Sequence, residues 1–238
     1  MQITNPYGEA LDFAHDAGSP LVVIGHGVTA NKDRDWAVTL HAALTAAGFG
    51  ALRFSFSGNG ASEGDFREST VSKEIADLGA VLDALEAGGT AEVIFAGHSM
   101  GAAVSVLAAS SDRRITRLIS LAGMVHTHDF AQRKFGEQAP GESLMWDKPE
   151  CPLSQVFMDD MAAIGSVAPK AAEIKVPWLL VHGTADTVVP HSESVEIASE
   201  AAKHGAEVTL VTLDGGDHLF SGEDESRMAA AVVEWLQG

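Results

Sequence analysis

The chain has 238 residues, 46% of them hydrophobic and 20% charged, a balance that suits one globular domain with a real core. A formal net charge of −18 excludes nucleic acid and anionic membrane surfaces as partners, because like charge repels them. A single cysteine, Cys151, excludes an internal disulfide and fits a reducing compartment.

The opening residues Met1-Gln2-Ile3-Thr4-Asn5 are neither basic nor apolar. No signal peptide is expected, and the expected location is cytoplasmic. No later stretch approaches the roughly 20 apolar residues of a membrane span. Ile3-Thr4 and Ala10-Leu11-Asp12-Phe13 read as a short leading hairpin around Pro6-Tyr7-Gly8. Leu21 to Gly27 is a buried strand, and Trp36, Leu40, Ala43 and Leu44 then keep helical spacing. Gly50 to Phe56 is a second apolar strand, and Val71, Ile75, Leu78, Leu82 and Leu85 form the core-facing stripe of a helix.

Ala91-Glu92-Val93-Ile94-Phe95-Ala96 is a strand that runs directly into Gly97-His98-Ser99-Met100-Gly101, and Ala102 to Ala109 reads as a helix. A G-x-S-x-G pentapeptide between strand and helix forces a sharp turn that lifts the serine hydroxyl above the sheet edge. Arg117 to Ala122 is the next strand. About fifty residues then intervene before the strand at Pro177 to Gly183. Asp186 follows that strand, Glu207 to Leu213 forms another, and His218 lies on the loop after it. Ser221 with Asp224 three residues on reads as a capping box for the last helix.

A serine hydroxyl needs a base, and a neutral imidazole can take its proton and return it to the leaving group. A carboxylate fixes the tautomer and stabilises the imidazolium. Ser99, Asp186 and His218 occur in that order, each after a strand. Asp214 and Asp217 are too close to His218 in the chain to point at the same ring and are expected to shape the turn.

On these motifs the chain resembles the α/β-hydrolases from end to end. The resemblance implies the α/β-hydrolase fold: a mostly parallel sheet with helices on both faces, one domain over residues 1–238, and a short, mainly helical cap at 124–170. It also implies two backbone amides that hold the oxyanion, those of Met100 and Val28. No β-hairpin is legible in the cap. His26-Gly27-Val28-Thr29-Ala30-Asn31-Lys32 and the stretch from Arg53 to Phe66 are similar to segments of the small bacterial cinnamoyl/feruloyl esterases. This chain has Val28, Ser55 and Asn59 where that branch has Phe, Asp and His.

The implied activity is that of a serine carboxylesterase on a small or medium ester, through an acyl-enzyme. The same three residues would serve a thioester, amide or peptide, and a non-catalytic ligand-binding protein on the same scaffold is the alternative of another class. His26, His98, Met124, His126, Phe135 and Trp146 are the candidate substrate contacts. His126-Thr127-His128 offers two imidazoles, but no further ligands cluster with them, so neither metal nor other cofactor is expected. The expected partner is the small-molecule ester, and the expected assembly is a monomer or homodimer. Cys151, with no strand and turn before it, is expected to be a packed or partly exposed loop thiol.

Overall fold

A computed structural model describes residues 1–238. Seven strands, β1 (Phe13–Asp16), β2 (Leu21–Gly25), β3 (Gly50–Phe54), β4 (Val93–His98), β5 (Ile115–Leu121), β6 (Trp178–Gly183) and β7 (Val208–Leu213), form one sheet in the order β1-β3-β2-β4-β5-β6-β7. Only β1 runs antiparallel, against β3; the other neighbours are parallel.

Period-2 alternation divides the core. Leu21 and Val23 of β2, Val93 and Phe95 of β4, and Trp178 and Leu180 of β6 face one cluster. Val22 and Ile24, Ile94 and Ala96, and Leu179 and Val181 face the other. Helices α2 (Val71–Ala87), α3 (Met100–Ala109) and α6 (His191–Lys203) cover the first face, and α1 (Asp35–Ala46) and α7 (Glu223–Gln237) cover the second. Strands buried on both faces are why these segments read as continuous apolar runs. Each large side chain buried this way stabilises the fold by roughly 1.5–3 kcal/mol relative to exposure.

Two terminal elements differ from expectation. The leading hairpin shrinks to one bridge, Thr4 to Ala10, because the Asn5 side-chain oxygen Oδ1 takes the amides of Tyr7 and Glu9, each at 3.0 Å. A side chain that supplies its own turn competes with the ladder. The last helix has no capping box: its N-cap is Gly222 at φ 68°. Asp217 takes the amides of Leu219 and Ser221 instead, which holds Ser221 in the loop. Glu223, Asp224 and Glu225 in the first turn meet the positive end of the helix dipole.

Residues 122–177 join β5 to β6. They contain α4 (Thr127–Phe135), α5 (Gln155–Ile164) and 3-10 turns at Met145–Asp147 and Ala168–Glu173. Leu153, Phe157, Met161 and Ile164 share one helical spacing, which predicts a buried row; the first three are buried and Ile164 is half-buried. The segment is not purely helical. Leu144 and Pro152 make an antiparallel bridge, and Met145 N–H donates to the Cys151 carbonyl at 2.8 Å. This small return carries Trp146 and Lys148. Cys151 is buried in it, and burial pushes its thiol pKa up to about 11. No helix of the chain is long and apolar enough to cross a membrane.

Candidate active site

The parallel strands β2, β4, β5, β6 and β7 end at one edge of the sheet, and the loops that follow them build the site. Ser99 is the turn between β4 and α3, at φ 54° and ψ −117°, a conformation strained for a side chain with a Cβ. Its amide donates to the Leu121 carbonyl at 2.9 Å, and its own carbonyl accepts from Ala102 and Met124. The surrounding backbones approach so closely that side chains are excluded. A Cβ on Gly101 would stand 2.5 Å from the His26 carbonyl oxygen, and one on Gly97 would collide with the Gly101 carbonyl.

Asp186 and His218 meet although 32 positions apart. His218 Nδ1 donates to Asp186 Oδ2 at 2.7 Å. The other oxygen, Oδ1, accepts the amides of Val188 at 2.7 Å and Val189 at 2.9 Å. Burial raises the Asp186 pKa, but the hydrogen bonds from His182 and His218 outweigh it and hold the carboxyl well below the usual range. The group therefore stays an anion inside the protein, which suits a residue that orients an imidazole. Asp214 and Asp217 do not reach the ring; Asp214 accepts from the Thr184 hydroxyl.

His98 reaches the same loop from β4. Its Nε2–H donates to the His218 carbonyl at 2.8 Å. Its ring stacks on Trp36 with centroids 4.6 Å apart and lies 4.8 Å from the His218 ring. Burial lowers its pKa to about 3, so it is a neutral strut. His26 is a second one. Its Nε2 accepts the Phe56 amide at 3.0 Å, which leaves the proton on Nδ1 for the Gly27 carbonyl. Burial lowers its pKa to about 4.

Val28 follows Gly27, where a Cβ would stand 2.7 Å from the Ser99 Cβ; glycine is what lets the loop lie against the serine. The Val28 amide has no acceptor among the loop hydrogen bonds. Met100 is the first residue of α3, where an amide has no partner within its helix.

Ser99 and His218 share the wall of a cavity of about 210 Å³ with Val28, His98 and Trp146. Of the candidate substrate contacts, His98 and Trp146 thus line it, and four do not. His26 is the buried strut just described. Met124 packs in the core below the serine. The His126 imidazole pairs with Glu196 at 3.0 Å on the surface. Phe135 is buried behind Trp146, with ring centroids 4.9 Å apart. Phe135 closes α4 on its buried side, and His26 and Met124 lie in the core around the elbow.

The structure adds residues that spacing did not mark: Thr29 and Arg34 after β2, Trp36 in α1, Phe130 in α4, Lys148 in the inserted segment, and Val188 and Leu219 beside Asp186 and His218. It also adds His182 at the end of β6, bonded to Asp186. Leu219 was findable as the neighbour of His218. Lys148 was not, because a lysine in a loop has no pattern.

The sequence profile of the alpha/beta hydrolase family matches residues 21–234. The palmitoyl-protein thioesterase ABHD10 of Bos taurus, a mitochondrial protein, is 26% identical over 92% of this chain and 73% of its own length. The structure of Est1E from Butyrivibrio proteoclasticus with ferulic acid bound superposes with a TM-score of 0.87 at 26% identity, covering 100% of this chain and 98% of that one. Mouse alpha/beta hydrolase domain-containing protein 10 superposes with a TM-score of 0.79 at 20% identity, covering 100% and 98%.

Proposed function

The chain belongs to the alpha/beta hydrolase family, and from that membership we propose that it is a serine hydrolase that cleaves carboxylic esters of small or medium size through an acyl-enzyme. The observation that carries this reading is the convergence on one cavity of Ser99, at its strained elbow, and His218, whose far nitrogen is bound to Asp186.

The chemistry follows from those positions. The Ser99 oxygen attacks the ester carbonyl carbon while its proton passes to His218 Nε2. Asp186 keeps Nδ1–H in place and stabilises the imidazolium. Negative charge that builds on the carbonyl oxygen is received by the amides of Val28 and Met100, worth a few kcal/mol per donor. The C–O bond breaks, the alcohol leaves with the proton from His218, and the acyl group remains on Ser99. Water then attacks the acyl carbon and its proton goes to His218; the bond to Ser99 breaks, His218 returns the proton to the serine oxygen, and the acid leaves. Residues 124–170 act as a cap in this reading, with Phe130, Trp146 and Lys148 over the acyl or alcohol group.

Thioester hydrolysis is the second reading, favoured by the similarity to ABHD10. A panel of p-nitrophenyl esters of rising chain length, with methyl ferulate and an acyl thioester of matched length, tests both. Turnover that vanishes in Ser99→Ala supports a serine hydrolase, and the oxygen-to-sulfur ratio of kcat/KM decides between the two leaving groups. No turnover of any member, with no labelling by a fluorophosphonate, overturns the proposal.

A further inference from the structure

The chain has 15 lysines and arginines against 33 acids, and many of its cations are paired. Arg53 and Lys32 hold Asp33, Lys73 holds Glu9, and Arg114 holds Asp112. Arg34 and Lys148 differ: neither has a carboxylate within ion-pair distance, and both line the cavity in front of Ser99, whose wall contains no Asp or Glu. In so acidic a molecule, two free cations on an acid-free wall are a local reversal of charge.

Their hydrogen bonds leave capacity unused. Arg34 Nη2 donates to the Thr29 carbonyl at 3.0 Å. Lys148 Nζ donates to the same carbonyl at 3.2 Å and to the Thr29 hydroxyl at 3.1 Å. The Arg34 Nε–H is buried with no acceptor, and so is the indole N–H of Trp36 on the same wall. Buried donors without partners are costly, so the polar groups around this wall are not saturated by the protein. A carboxylate or phosphate group brings both lone pairs and the charge that two cations favour. Arg34 and Lys148 also border an adjoining outer groove that holds Asp33, Asp35 and Glu150, so the pair stands between that acidic groove and the acid-free wall in front of Ser99.

We propose that Arg34 and Lys148 seat an anionic group of the substrate, a carboxylate or a phosphate, beside the ester bond. The proposal rests on the hydrolase reading above. With a net charge that repels anions at long range, the local pair decides whether such a substrate stays.

The test uses matched esters, each anion beside its neutral methyl ester. 4-Nitrophenyl hemiglutarate places a carboxylate on the acyl side. The butyrate of 4-hydroxybenzoate places it on the leaving group, and the butyrate of 4-hydroxyphenyl phosphate replaces it with phosphate. At least one anionic ester is expected to exceed its neutral partner in kcat/KM by roughly tenfold or more. Arg34→Gln and Lys148→Met should each move that ratio toward one. A pair that only tethers Thr29 would slow both members alike and leave the ratio unchanged. Calorimetric titration of the same esters into Ser99→Ala reads the seat without turnover. Tighter binding of the anion, lost in Arg34→Gln, upholds it. Labelling by a fluorophosphonate with turnover of neutral esters, but no anion preference in rate or binding, overturns this inference and leaves the hydrolase reading intact. Absence of labelling and of all turnover sinks the hydrolase reading, and the calorimetric arm still decides the seat.

Discussion

His182 donates its Nε2–H to Asp186 Oδ2 across 3.1 Å, the same oxygen that receives His218 from the other side. The tautomer is fixed by the neighbours. Nε2 faces two acceptors, Asp186 and the Val189 carbonyl at 3.1 Å, so it carries the proton, and Nδ1 accepts from the Ser194 hydroxyl at 2.7 Å. His182 thus holds the carboxylate from behind and acts on the imidazole only through it.

That arrangement ranks two substitutions. Asp186→Asn should lower turnover by about 10⁴ if the serine-protease precedent transfers, because the amide favours the wrong tautomer. His182→Phe removes one donor to an anion, a bond worth roughly 1.5–3 kcal/mol, and should lower turnover by about tenfold or more while the protein remains folded. Rates per fluorophosphonate-titrated site check both; an Asp186→Asn loss below tenfold would assign the orienting acid elsewhere.

Ser99 should show strain as well as reactivity. Ser99→Ala and Ser99→Gly should both remove nearly all esterase activity. Glycine relieves the φ of 54° and alanine does not, so the glycine variant should unfold at higher denaturant, by roughly 1 kcal/mol after its greater unfolded-state entropy is deducted. Urea titration of the two variants side by side measures the difference. Equal midpoints would mean the elbow is relaxed.

Trp146 and Phe135 touch, yet their truncations should diverge. Trp146 is 41% exposed and lines the cavity, so Trp146→Ala should change the rate ratio between short and long esters with little loss of stability. Phe135 is 1% exposed, so Phe135→Ala should cost roughly 3–5 kcal/mol. Ester panels and denaturation curves on both variants separate the roles; a selectivity change confined to Phe135→Ala would reverse them.

Glu74 gives the pH dependence of stability. It is buried in α2 with Asp77 one turn on, and its Oε2 has no partner. Burial, then the charge of Asp77, raises its pKa well above 4.5. Between 4.5 and that raised value the unfolded chain has lost the proton and the folded one keeps it. Stability therefore falls as pH rises through this window, by about 1.4 kcal/mol for each unit of displacement. Glu74→Gln should remove that part of the slope, giving the variant its advantage near pH 8 and none below pH 4. Urea midpoints across pH check it, and parallel curves for the two proteins would show that Glu74 is ionised in the fold.

Much of the fold was legible because its signals are local. Strands buried on both faces must be apolar throughout, so β2, β4 and β6 stood out as runs, and α2 as a stripe. The Ser99 elbow was legible because its tight backbone demands Gly97 and Gly101, and Asp186 and His218 because each follows a strand whose end must lie at the same edge. The N-terminal hairpin and the Ser221 cap were misread where Asn5 and Asp217 took backbone donors that a propensity rule assigns elsewhere.

The sequence by itself thus determined the layer architecture, the places of the central strands to within about two residues and the order of Ser99, Asp186 and His218, since short-range sterics and burial periodicity act along the chain. Only the tertiary structure decided which side chains reach the cavity. His26 and His98 look alike beside their glycines, yet one clamps β2 to Phe56 and the other holds the His218 loop. Arg34 and Lys148 lie 114 positions apart and meet at Thr29. A charge's partner, or its lack of one, depends on long-range packing that no local pattern encodes.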